Sequence, residues 1–237
     1  MQQDMHLKNT TTGKETNMQI VVPSCDKNED IWEAFYYCME KYWPEHPKIT
    51  YYTESKLNPY YKTICVPREL NEWTRGLRTV LEHIQDDQIL IITDDCFLRK
   101  PINKAKLEQA KALLKGNVAL VNFERSWDAN DEEIGVQGFK KRKHGSRYEV
   151  SLMCGLWDRK KLLEVIAEDS DPWTVEHKQN NCGYEYLTNA GDLILDWGYH
   201  VMGHLAGLKK GKWCREVVPF FESEGIKMDY SKRGFWE

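Results

Sequence analysis

DQILIITDDCFL, residues 87–98, is the stretch on which the reading of this chain turns. Ile89, Leu90, Ile91 and Ile92 form an apolar run that is too short to span a membrane and rich in β-branching. Such a run has the character of a strand buried on both faces, as in a parallel sheet. Asp94 and Asp95 follow where the buried run ends. In open α/β sheets, ligands bind just outside the carboxyl ends of the strands. Adjacent carboxylates at that place repel one another unless a cation stands beside them, so a hard divalent metal with phosphate ligands suits the pair. Capping of the next turn is the competing reading.

Working outward, 237 residues are enough to bury a substantial core as one large or two small domains. Nine Trp and twelve Tyr suit a protein that stacks planar or sugar ligands, although core packing also consumes aromatics. A formal net charge of −4 gives no basic field and weighs against a dedicated nucleic-acid binder. Seven Cys are scattered without C-x-x-C spacing or a His/Cys ligand set. With no signal-peptide pattern ahead of them, they read as reduced thiols of a cytoplasmic protein. No apolar run reaches transmembrane length. Residues 1–17 are polar and Thr-rich and read as a mobile tail; residues 18–237 read as one domain.

Upstream of the organising stretch, residues 18–22 predict a strand, followed by the polar loop Pro23-Ser24-Cys25-Asp26. A helix then starts near Asn28 or Asp30, with Ile31, Phe35, Cys38, Met39 and Tyr42 on one stripe. The loop lies at the carboxyl end of its strand, which makes Pro23, Ser24, Cys25 and Asp26 candidates to touch a nucleotide. It carries neither Gly-rich phosphate fingerprint, and Asp26 also reads as a helix cap. Strands are expected at 48–53 and 64–66, then a helix over 72–84 capped by Asn71. Trp73 lies on the buried stripe of that helix, while Arg78 shares another face with Arg75 and is within reach of an anionic ligand.

Downstream, a helix over 104–115 and a strand over 118–123 are expected. Residues 124–147 turn polar and contain the basic run Lys140 to His144, the pattern of an excursion or lid whose charges are solvated or meet an anionic acceptor. Apolar strand character resumes at 148–154 and continues into Gly155-Leu156-Trp157, and Asp158 caps a helix carrying Leu162 and Ile166. Strand is expected again at 193–197 and 199–202. A basic turn spans 209–213, a helix 215–223 stops at Gly225, and His200 or His204 could add a metal ligand.

Taken together, the segments TDDCFL, GLWDR, DPWTVE and KKGKW, in this order and behind a strand–polar loop–helix opening, resemble nucleotide-sugar-dependent glycosyltransferases of the GT-A fold. The group most similar is found in bacterial cell-surface polysaccharide loci and in some phages. The resemblance covers residues 18–233. It implies an α/β fold with a mixed, mainly parallel sheet flanked by helices, and a single transferase domain. It also implies a divalent cation, Mn²⁺ or Mg²⁺, on the donor diphosphate, with Asp95 as metal ligand and Asp94 at the ribose or metal. Thr93 stands where the family's usual Asp-x-Asp spelling has its first acid. Glu176 matches the catalytic base. Gly155, Leu156 and Trp157 match a loop that walls the donor sugar. Lys210 and Lys212 match late basic residues near the diphosphate, and Trp73, Arg78 and Trp173 complete the implied donor and acceptor contacts.

This layout agrees with the chemistry of inverting transfer. A carboxylate takes the proton of the acceptor hydroxyl as it attacks the anomeric carbon, and positive charge stabilises the departing diphosphate. The implied partners are a nucleotide-diphosphate sugar donor and a hydroxyl-bearing glycan or lipid-linked acceptor, with a hydroxymethylated DNA base as a viral alternative. Two other functions compete: a nucleotidyltransferase on a similar sheet, and a non-catalytic glycan- or nucleotide-binding module.

Overall fold

Residues 18–125, 128–177, 182–197 and 206–237 are described by the computed structural model. The expected tail at 1–17, the expected strand at 199–202, and His200 and His204 lie outside the described residues. In chain order, strand β1 (Met18–Pro23), helix α1 (Trp32–Tyr42), strands β2 (Ile49–Thr53) and β3 (Lys62–Cys65), helix α2 (Trp73–Glu82) and strand β4 (Gln88–Ile92) build the first half. These four strands are parallel, with Ile20 of β1 opposite Ile49 on one side and Leu90 on the other. Strand periodicity sends Ile20, Val22, Leu90 and Ile92 to one face, where they pack on Phe35, Cys38 and Met39 of α1. Val21, Ile89 and Ile91 go to the opposite face, against Leu77, Val80 and Leu81 of α2. All four residues of the β4 run are fully buried. Each such side chain stabilises the fold by about 1.5–3 kcal/mol relative to exposure.

The second half comprises helix α3 (Lys104–Leu113), strands β5 (Val118–Arg125), β6 (Glu132–Glu133), β7 (Phe139–Lys141) and β8 (Cys154–Asp158), and helices α4 (Arg159–Val165) and α5 (Pro172–His177). Strand β9 (Glu185–Asn189), the hairpin β10 (Leu208–Lys209) and β11 (Lys212–Trp213), and helix α6 (Val218–Glu224) complete it. One nine-stranded sheet has the order β3-β2-β1-β4-β8-β5-β9-β7-β6. Strand β8 is antiparallel to both β4 and β5, while β5 and β9 are parallel. The expected mixed, mainly parallel α/β sheet flanked by helices is therefore what the chain forms. Among the described residues, no helix is long and apolar enough to cross a membrane.

Several local expectations need correction. The first turn leading into α2 is held by a reciprocal capping box between Glu69 and Glu72, not by Asn71. Residues 148–153 are irregular, and the strand begins only at Cys154. Residues 193–197 form no strand: their backbone accepts from Arg99 and Asn103, and Ile194, Leu195 and Trp197 fill the core. Strand β9 was not expected at all, because EYLTN shows no clean alternation in sequence. The polar excursion extends the sheet through β7 against β9, and most of its basic run is paired with acids of the chain. Lys140 pairs with Glu133, Lys141 with Glu185, and Arg142 forms a buried ion pair with Asp131 at 3.0 Å.

Candidate active site at the carboxyl ends of the strands

Strands β1 and β4 are parallel neighbours, so the loops that leave them share one rim of the sheet. Ser24, just after β1, is buried, and its hydroxyl donates to Asp94 Oδ2 at 2.5 Å. The same hydroxyl oxygen accepts from Trp32 Nε1 at 2.9 Å. Asn28 Nδ2 reaches both Asp94 oxygens, at 3.0 and 3.2 Å. Burial, then the neighbouring Asp95 charge, pushes the Asp94 carboxyl up to about 7 despite these donors. Asp94 is thus anchored inward to the β1 loop, and its neighbour Asp95 is half-buried. Thr93 turns its hydroxyl to Cys96 Sγ at 3.2 Å. Among the described residues, no cluster of three His, Cys, Asp or Glu is placed to hold a metal. A single carboxylate beside a second one fits a hard cation whose other ligands are phosphate and water oxygens, not a protein cage.

The remaining predicted positions of the β1 loop serve different ends. Asp26 accepts from Ser55 N and Lys56 N, both at 3.0 Å, and from Ser55 Oγ at 2.5 Å. Burial would raise its pKa, but these donors outweigh it and hold the carboxyl at about 2. Asp26 therefore stitches the β1 loop to the end of β2 and caps no helix. Cys25 is half-buried, and its thiol is pushed up by burial and by the Asp94 and Glu54 charges. Pro23 closes β1 opposite Tyr52. Arg68, which the sequence did not single out, sits 4.3 Å above the Tyr52 ring, donates to Ser24 O at 2.8 Å and pairs with Glu54 at 3.0 Å. Gly76 leaves room for it: a Cβ there would stand 2.8 Å from Arg68 Cδ.

Across the rim, Glu176 of α5 accepts from Leu152 N at 2.7 Å. Burial pushes its carboxyl up to about 7; the Leu152 donor opposes this, and the Glu124 charge adds to it. Thr93 N donates to Met153 O at 3.1 Å. Two consecutive residues, Leu152 and Met153, therefore hold Glu176 and the acid-bearing segment respectively. Glu124, near the end of β5, stands in the same neighbourhood, with Ser151 Oγ donating to it at 3.4 Å. The strand-end rule that singled out Asp94 and Asp95 would also have found Glu124. Neither Asn28 nor Arg68 carries any comparable sequence signal.

Other predicted positions fall elsewhere. Gly155, Leu156 and Trp157, expected in a loop, lie instead within strand β8, where Leu156 and Trp157 are fully buried. Trp157 pairs with Ile89, at the end of the strand away from the rim, and packs edge-on against Tyr186. Arg78 is committed to Ile166 O at 2.7 Å and to Asp169, so it ties α2 to the segment after α4. Trp73 is half-buried against Tyr52. Trp173 is 56% exposed, one helical turn before Glu176. Lys210 and Lys212 are exposed on the β10–β11 hairpin, where Lys210 and Gly211 both have positive φ, as a tight hairpin turn requires. The root of that hairpin reaches the rim, since Gly207 N donates to Asp95 O at 2.8 Å. Arg233 clasps the hairpin to the β1 loop, donating to Asn28 Oδ1 at 3.1 Å, Asp30 Oδ2 at 2.8 Å and Gly211 O at 3.4 Å. Two cavities open near the β1 loop and α1. One of about 410 Å³ abuts Asp26 and Arg233, and one of about 870 Å³ lies between α1 and residues 224–232; Asp95 and Glu176 line neither.

No family model matches this chain, and no curated protein matches it. Solved structures do. The crystal structure of S. aureus TarS superposes with a TM-score of 0.50 at 10% identity, covering 76% of this chain and 36% of that one. The bifunctional IspDF from Campylobacter jejuni gives 0.45 at 12% identity, over 74% of this chain and 50% of that one. A nucleotidyl transferase from Methanothermobacter thermautotroptrophicus gives 0.46 at 10% identity, over 73% and 87%. The chain thus spans about half the length of IspDF and about a third of TarS. What is shared at such identities is the fold, a mixed α/β sheet flanked by helices.

Proposed function

We propose that this chain transfers a sugar from a nucleoside diphosphate sugar to a hydroxyl acceptor. The reading is carried by one observation: Leu152 and Met153 join a half-buried carboxylate, Glu176, to the strand end that bears Asp94 and Asp95. A base and an anion-handling centre on one rim are what such a transfer needs. Glu176 takes the proton of the acceptor hydroxyl, whose oxygen forms a bond to the anomeric carbon from the side opposite the leaving group. The bond from that carbon to the diphosphate oxygen breaks, and the nucleoside diphosphate departs with its electron pair. A pKa near 7 suits Glu176 to accept a proton at neutral pH. Asp95 would hold a divalent cation that neutralises charge on the diphosphate. Lys210 and Lys212 add positive charge from the hairpin. Ser24, Asn28 and Arg68 fix the loop against which the nucleotide lies.

The test is a thermal-shift panel of UDP, GDP, CMP and their sugars, with and without Mn²⁺. One nucleotide family should raise the melting temperature. Asp95→Ala should remove the Mn²⁺-dependent part of that shift, and Glu176→Gln should abolish transfer while leaving the shift intact. Absence of any nucleotide-induced shift overturns the reading. Release of pyrophosphate from a nucleoside triphosphate would assign nucleotidyl transfer instead.

A further inference from the structure

Next to Glu176 runs a strip of exposed and half-buried rings ending in a cation that the transfer step above does not use. Trp173 is 56% exposed, an unfavourable place for so large a ring unless something covers it. His177 follows four residues later on α5, so the two side chains are neighbours on the helix surface. The His177 ring lies 4.9 Å from that of Tyr148. Arg147 stands 4.9 Å above the Tyr148 ring, and its Nη2 donates to the Tyr148 hydroxyl at 3.3 Å. Tyr148 has φ 56°, a left-handed conformation that is unfavourable for a non-glycine residue. The loop is nonetheless held there, by Arg142 Nη2 on Arg147 O at 2.8 Å and by Leu152 N on Glu176. Among the salt bridges of the described residues, Arg147 has no carboxylate partner, in contrast to Lys140, Lys141 and Arg142.

We propose that Trp173, His177, Tyr148 and Arg147 form an acceptor subsite for a saccharide that bears an anionic group. The sugar ring stacks on Trp173, and the phosphate or carboxylate meets the guanidinium fork of Arg147, whose ring contact pre-orients it. A nucleic-acid acceptor is disfavoured here, because Lys140, Lys141 and Arg142 of the neighbouring basic run are paired with Glu133, Glu185 and Asp131, which leaves fewer cations to follow a phosphate backbone. The assignment rests on Glu176 being the base, since it places the acceptor beside that residue.

The test measures binding by saturation-transfer NMR with mannose 6-phosphate, glucuronic acid, mannose and a twelve-nucleotide single-stranded DNA. At least one of the two anionic sugars should bind roughly tenfold or more tightly than mannose, and Arg147→Ala and Trp173→Ala should each weaken it by a similar factor. The phosphate and carboxylate arms identify which anion is read. Arg147 is exposed, so its alanine variant tests the site without a folding penalty, and its nucleotide-induced thermal shift should match that of the parent chain. Equal binding of mannose, unchanged binding in Arg147→Ala, no sugar binding, or tighter binding of the DNA overturns the subsite. Loss of the nucleotide shift in the parent chain would instead strike the transferase reading.

Discussion

Glu176 is an acid with an ordinary pKa of 4.5 that burial raises to about 7. The folded chain therefore binds its proton more tightly than the unfolded chain does. The resulting cost to stability is absent below pH 4.5, develops between pH 4.5 and 7, and is complete above pH 7, on the order of 3 kcal/mol. Glutamine keeps an oxygen for Leu152 N and carries no charge. Glu176→Gln should thus be more stable than the parent chain at pH 8 and equal to it at pH 4.5, as read by urea denaturation at both values. Equal stability at pH 8 would mean that water reaches the carboxylate. The same titration predicts that transfer accelerates as pH rises through about 7, because only the ionised form accepts a proton. Asp94 and Asp95 show how far a residue-level reading goes. Their place at a strand end was legible, but their division into an inward anchor and a half-buried carboxylate depends on Ser24 and Asn28, far away in sequence.

Strand β8 illustrates what neighbours impose on an element. It is wedged between β4 and β5, and Gly155 lies where a Cβ would stand 2.6 Å from Leu120 Cδ1. Gly155→Ala should destabilise the chain by about 1–3 kcal/mol through overpacking, measured as a lower urea midpoint. An unchanged midpoint would show that Leu120 gives way. GLWDR was expected to be a ligand loop only through the resemblance to GT-A glycosyltransferases; pairing on both sides makes it central strand. The β6–β7 excursion makes a similar point. Its charge run reads as solvated from sequence alone, yet the Arg142–Asp131 pair is buried and holds the loop that leads to Leu152. Asp131→Ala, which takes the carboxylate away from the buried Arg142 guanidinium, should cost about 3–5 kcal/mol by the same measurement. A loss below 1 kcal/mol would mean that the loop reorganises to let Arg142 reach water.

At the scale of the molecule, parallel strand order gathers the ends of β1 and β4, the segment before β8, and the root of the β10–β11 hairpin on one rim. Residues from Ser24 to Gly207 meet there. A cation held by one carboxylate and completed by a diphosphate binds weakly without its nucleotide. Treatment with EDTA should therefore abolish the nucleotide-induced thermal shift without lowering the melting temperature of the ligand-free chain, and excess Mn²⁺ should restore it. A fall in the ligand-free melting temperature would instead reveal a structural metal.

Local information sufficed wherever one element satisfies itself. Apolar runs such as Ile89–Ile92 must be buried, helical stripes such as Ile31, Phe35, Cys38 and Met39 must face a core, and acids after a buried strand must stand at its end. Those constraints were enough for an α/β sheet with acids at the end of a buried strand. Tertiary structure alone decided which side chains share a neighbourhood: that Arg68 and Asn28 belong to the β1 loop, that Trp157 is core, and that Leu152 presents its N–H to Glu176. Burial, hydrogen-bond partners and the pKa values they set are properties of groups distant along the chain, and they come into being only when the strands are laid side by side.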